Sequence, residues 1–343
     1  IAEEPIAVEA AAHYNSANVL EANSIEIIYT LDFGEADFAN YQYKGKALTS
    51  NVITEAGVEG KINPIAIIVD IANDEKIYDG TAPALSWQAD EGWSITSGSV
   101  LDGESLGVTL SVAEIQEPGK EQGDQGDYVI QGDWSNKNYA VTFQPGTYTI
   151  HHRPVTVQIG NGFGDYGVTP DLSGITFTAV SMPEVPNSGL LPEDVCPSAA
   201  LHTAAAGAVV GFYDITAENG PYGNYEVTFL SGQYEVKPRP VTVTILDHQS
   251  DYGAEIDTAL SAPVAGENYK VTSQYDQAVL PGDDLGIILE TNATSDSPVD
   301  GSYYVKVKDG IQTNTNYAIT YQGGSWSEDP TMGTYQIMPA KLN

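Results

Sequence analysis

The chain has 343 residues, 47 of them acidic and 13 basic, for a formal charge of −34 with histidine neutral. Nucleic acid and anionic membranes repel such a polyanion, and no cluster of Lys or Arg offsets this, so neither is an expected partner. The single cysteine, Cys196, excludes a disulfide framework and a cysteine-built metal site, and no run reaches the ~18 apolar residues of a membrane span, so no direct membrane insertion is expected.

Residues 1–61 read as a divergent or truncated repeat, with one strand at 24–29 and another at Asn40-Tyr41-Gln42-Tyr43. From residue 62 a pattern recurs. Its openers are Ile62-Asn63-Pro64 before Ile67-Ile68-Val69, then Ile150-His151-His152-Arg153-Pro154-Val155-Thr156-Val157, then Val236-Lys237-Pro238-Arg239-Pro240-Val241-Thr242-Val243. A fourth, Ile337-Met338-Pro339-Ala340-Lys341-Leu342, is cut off. The expected divisions are therefore 62–149, 150–235 and 236–336, with 337–343 starting a further repeat of a longer protein. A period near 90 is too long for a solenoid unit and suits self-contained modules.

Sixteen residues into each repeat stands a tyrosine beside acidic and glycine neighbours: Tyr78-Asp79-Gly80, Asp165-Tyr166-Gly167 and Asp251-Tyr252-Gly253. Packing over a tight turn explains it, and Tyr252→Ala is expected to cost roughly 2–4 kcal/mol if the ring is core. Next come Leu101-Asp102-Gly103-Glu104, the weaker Leu191-Pro192-Glu193-Asp194, and Leu280-Pro281-Gly282-Asp283. A Gly-x-Tyr-x-(Ile/Val) strand follows, as in Gly126-Asp127-Tyr128-Val129-Ile130, where alternation puts Tyr and Ile on one face. Then come Asn138-Tyr139, Asn224-Tyr225 and Asn316-Tyr317, each opening a β-rich run, and a closing strand that enters the next opener almost without linker.

Six or seven short strands per repeat without an amphipathic helix predict an all-β chain. Tandem immunoglobulin-like β-sandwich modules in an elongated array are expected, although the Cys…Trp…Cys core is missing. The alternative is β-grasp-like modules, whose helix would have to lie near 199–208, in repeat two only.

The order Pro-x-Pro-Val-Thr-Val, Tyr-Asp-Gly or Asp-Tyr-Gly, Leu-x-Gly-Asp and Asn-Tyr-x-Val-Thr-Phe is similar to the MBG/YDG repeats of bacterial surface proteins over about 62–343. Repeat two departs from it between 183 and 206. The resemblance implies secretion or display at the bacterial cell surface or cell wall, a stalk or adhesin role that spaces or presents binding domains, and no enzymatic activity. Its implied partners are other surface proteins or host glycans and mucin.

Residue chemistry agrees with a non-enzyme. His13, His151, His152, His202 and His248 have no metal-ligand spacing, and none recurs between repeats. Gly160-Asn161-Gly162-Phe163-Gly164 precedes no helix that could hold a phosphate. Lys61, Lys76, Lys137 and Lys237 occupy unrelated positions, which argues against an internal lysine–asparagine cross-link. No cofactor is required; the one candidate is calcium, at Asp70, Asn73, Asp74 and Glu75 or at Asp247 and Asp251, against the plain reading of turn-forming acids. Trp87, Trp93 and Trp134 read as packing residues. Trp326 falls in an insert unique to repeat three, 325–332, and is the candidate ligand-binding residue, for a sugar ring, with closure over a joint as its plain alternative.

Overall fold

The computed structural model describes residues 6–341 apart from 89, 116, 257 and 312, so Leu342 of the fourth opener lies outside the described residues. The chain divides into two compact units, Ile1–Arg153 and Pro154–Asn343. Both are all-β. The described residues contain two short 3-10 turns, Phe38–Asn40 and Thr258–Ser261, and no α-helix. Where a β-grasp module would need its helix, near 199–208, the chain forms the strand His202–Thr203 and a turn.

In the second unit the C-terminal module shows the plan. Its opening strand Arg239–Ile245 lies between Tyr269–Thr272, which is antiparallel to it, and Tyr317–Gln322, which is parallel. The other sheet runs His248–Asp251, Gly333–Met338, Tyr303–Val307, Leu289–Thr291, and its first pair is parallel. Alternation sends Val241, Val243 and Ile245 from one sheet and Val305, Tyr335 and Ile337 from the other into one buried cluster. Two layers thus close on one core.

The preceding module repeats this plan. Arg153–Ile159 lies between Phe177–Val180 and Tyr225–Leu230, with Gly220–Tyr222 at the edge, and Gly162–Asp165, Gly232–Lys237, Gly211–Thr216 and His202–Thr203 form the second sheet. In the first unit Ile65–Ile71 lies between Tyr139–Gln144 and Trp93–Ser97, beside a sheet of Asp74–Ile77, Gly146–His151, Gly126–Trp134 and Val108–Val112. Ile67 and Val69 share a core with Val108 of that second sheet and with Leu106 just before it.

These sheets are mixed, whereas an immunoglobulin-type pattern predicts antiparallel ones. The opening strand and the Asn-Tyr strand, Ile65–Ile71 with Tyr139–Gln144, pair in parallel. A parallel neighbour demands a long crossover. Here residues 72–138 provide one, making Trp93–Ser97 of the same sheet and three strands of the other on the way.

The first 61 residues form an antiparallel sheet of Ala7–Tyr14, Ser24–Asp32 and Val52–Glu59. Asn40-Tyr41-Gln42-Tyr43 does not make the expected Asn-Tyr strand. Gln42–Tyr43 instead pairs with Lys46–Ala47 around Lys44 and Gly45, both at positive φ, in a two-residue hairpin turn.

The opener residues Ile150, Val236 and Ile337 are buried ends of closing strands rather than the starts of new modules. Only Pro238 separates Gly232–Lys237 from Arg239–Ile245. Each closing strand begins with glycine because a Cβ there would strike a backbone carbonyl: Ala72 O at 2.3 Å from Gly146, Gly160 O at 2.1 Å from Gly232, and Leu246 O at 2.6 Å from Gly333.

Candidate functional site

Two sets of the recurring tyrosines do different work. Tyr139, Tyr225 and Tyr317 are buried and pin a loop within their own module. The Tyr317 hydroxyl accepts from the Leu280 N–H at 2.9 Å and donates to Asp283 at 2.6 Å. Tyr139 does the same with Leu101 and Glu104, and Tyr225 with Leu191 and Asp194. The weak motif of repeat two therefore makes the same contact as the other two. Burial, then the Asp283 carboxylate, pushes the Tyr317 phenol up to about 12.

Tyr78, Tyr166 and Tyr252 stand instead at module ends. Their backbone N–H groups donate to His151, Lys237 and Met338, respectively. Within the second unit the Tyr166 ring meets Tyr317 of the following module edge-on, with centroids 5.7 Å apart. The Tyr166 carbonyl accepts from Arg239 at 3.1 Å. Arg239 is 4% exposed, donates also to Gln277 O at 2.6 Å, and lies 4.0 Å over the Tyr275 ring. The Tyr275 hydroxyl donates to Asp165 at 2.6 Å, which together with burial raises its pKa. Val210 N–H completes the joint by donating to Asn316 Oδ1. The first unit repeats two of these bonds, from Arg153 to Tyr78 O at 3.2 Å and from Val19 N–H to Asn138 Oδ1 at 2.9 Å. A buried ring holds for Tyr78, at 7% exposure, but not for Tyr252, at 50%. The expected core role of Tyr252 is thus corrected: among the described residues no ring meets Tyr252 as Tyr317 meets Tyr166.

Trp326 is 50% exposed. It lines an open groove of about 680 Å³ with Tyr303, Tyr304, Glu328, Tyr335 and Met338. Asp247 anchors the insert, accepting from Trp326 N–H at 3.0 Å, from the Ser325 hydroxyl at 3.3 Å and from Thr334 N–H at 2.7 Å. Gly324 permits that approach, since a Cβ on it would lie 2.3 Å from Asp247 Oδ1.

The calcium candidates have local partners. Asn73, Asn161 and Asp247 occupy equivalent turns, and each accepts from the second residue of its closing strand: Thr147, Gln233 and Thr334. Asp74 accepts from Ser86 and Glu75 N–H groups, Glu75 meets His151 at 2.9 Å, and Asp70 accepts from Thr96. Among the described residues no three His, Cys, Asp or Glu side chains come together as a metal group. Trp93 and Trp134 pack against the first module's core, and Trp87 covers Gly92. Lys76 is bound by Asp79, Thr81 and Ala82, while Lys137 lies over Trp134 and Lys237 over Phe163.

No protein-family model matches the chain, and no curated protein matches it.

Proposed function

We propose that this chain is a non-enzymatic spacer, an extracellular stalk or adhesin segment of a bacterial surface protein, made of tandem immunoglobulin-like sandwich modules of the MBG/YDG type. The observation that carries this reading is the joint inside the second unit. A single residue, Pro238, connects the two modules, and Arg239, Tyr275 and Tyr166 bond across it. A short proline-containing connection with buried cross-contacts resists bending, which is what holding another domain at a distance requires. The surface location rests on the resemblance of the repeat motifs. Antibodies to residues 62–341 should label intact cells that produce the full-length protein; labelling only after lysis would refute the location.

The groove beside Trp326 favours a second reading, a carbohydrate- or mucin-binding module. An exposed indole next to two tyrosines offers flat apolar faces to a sugar ring. A glycan array decides it: binding that Trp326→Ala abolishes supports the reading, and a blank array or binding indifferent to that change ends it.

A further inference from the structure

We propose that the Asp165-Tyr166-Gly167 turn is a receptor for the module that follows it in the second unit, and that the Asp251-Tyr252-Gly253 turn is an open copy of it, shaped for a further module of this repeat type. The proposal rests on the modular-spacer reading but not on the surface location.

The filled receptor is seen between the two modules of the second unit. Leu280 sits so close to Gly167 that a Cβ there would lie 2.4 Å from its Cδ1, and Gly167 has φ +77°. Tyr317 meets the Tyr166 ring, Tyr275 binds Asp165, and Arg239 binds the Tyr166 carbonyl. Leu280, Tyr317 and Arg239 belong to recurring features, the Leu-x-Gly-Asp loop, the Asn-Tyr strand and the opener, whereas Tyr275 is particular to this module.

The turn at Tyr252 has the same internal shape. Tyr252 N–H reaches Met338 O at 2.8 Å, as Tyr166 N–H reaches Lys237 O at 2.8 Å. Ala254 N–H closes onto Asp251 O at 3.0 Å, as Val168 N–H closes onto Asp165 O at 3.0 Å. Gly253 has φ +82°, but nothing lies within 4 Å of where its Cβ would be. Tyr252 and the adjoining Met338 are 50% and 40% exposed. The turn is thus folded without the contacts that cover its twin, so the shape belongs to the module and not to induced fit.

The occupant is identified by continuity with the filled joint. It presents a leucine to Gly253 and a tyrosine edge to Tyr252. One element of the joint differs: Ala340 stands where Arg153 and Arg239 stand in the earlier openers, so the bond to the turn carbonyl is not offered from that position.

Limited nitration with tetranitromethane, read by peptide mass spectrometry, tests this on the full chain and on a chain in which residues 239–341 are repeated directly after Pro339. In the chain as it stands Tyr252 should react at least about tenfold faster than Tyr166. In the extended chain Tyr252 should slow to the rate of Tyr166. The proposal is overturned if Tyr252 keeps its fast rate while the added copy's own Tyr317 counterpart is protected. A loss of Tyr252 reactivity with rising concentration of the unextended chain would overturn it too, by assigning the turn to a second copy. Should the added copy fail to fold, Tyr317→Leu in the unextended chain decides: it removes the ring that meets Tyr166 edge-on, Tyr166 must then react faster, and an unchanged Tyr166 refutes the receptor. Absence of surface labelling on cells would leave all these rates as they are, so the two readings fail separately.

Discussion

Tyr317→Phe removes one oxygen from a buried side chain and leaves its ring in place. The oxygen accepts from Leu280 N–H at 2.9 Å and donates to Asp283 at 2.6 Å, so its loss breaks one neutral and one charge-assisted bond. Net contributions are about 1 kcal/mol for the first and about 1.5–3 kcal/mol for the second, and the half-buried Asp283 recovers part of its share from water. The expected cost is therefore about 2–3 kcal/mol, measured by urea unfolding with the slope unchanged. Tyr335→Phe is the matched control. That side chain is equally buried in the same module, yet its hydroxyl has no partner among the described residues, so removing it should cost less than ~0.5 kcal/mol or stabilise. Equal costs for the two changes would refute the pinning argument. Alkali provides a second reading. A phenol at about 12 in the folded chain and near ~10 when unfolded means that, between those values, the unfolded chain has lost a proton the folded chain retains. Stability is then full below pH ~10 and falls as pH rises towards 12, and Tyr317→Phe should flatten that decline.

Tyr166→Ala should cost about 2–3 kcal/mol in thermal unfolding, because its ring packs against the next module's core, while Tyr252→Ala should stay within ~0.5 kcal/mol. Equal effects would show that both rings serve their own modules. Deleting residues 325–332 should leave the fold intact, because Asp247 keeps its bond to Thr334 N–H and neither Ser325 nor Trp326 belongs to the buried cluster. Loss of cooperative unfolding in that deletion would make the insert structural.

The strand alternation is readable in the sequence: Tyr128 and Ile130 share a buried face, as a period of two requires. Parallel pairing is not, because side-chain alternation has the same period whichever way the neighbour runs. The loop pins are hidden for another reason. A leucine and an acid recur with the tyrosine in every module, but 34 to 37 residues separate Tyr317 from Asp283 and Leu280, and recurrence alone does not say which recurring residues touch. Asp247 resembles a metal ligand in sequence, but it is equivalent to Asn73 and Asn161. A position that takes Asp and Asn alike is suited to accepting a backbone N–H, since both side chains offer an oxygen there, and Asp247 does accept the Thr334 N–H. That interchange is itself visible in the sequence.

Tyr78, Tyr166 and Tyr252 carry the most general lesson. A residue that recurs in register shares an environment with its counterparts, but that environment can belong to its own module or to the neighbouring one. Within a tandem array the two give the same sequence pattern, since every module has both a core and a successor. They part only where the described chain has no successor, and there Tyr252 is half exposed while Ile337 of the same module remains buried. Core residues do not depend on a successor. The joint residues do, and their side chains vary with less consequence: Ile65 and Arg239 occupy the same opener position, and each donates its backbone N–H to the asparagine before the paired strand, Asn138 O at 3.0 Å and Asn316 O at 2.9 Å. The backbone sets the register of both these opening strands. The arginine adds a clamp to the preceding turn where it is present, so stiffness can differ from one joint to the next while the modules themselves stay alike.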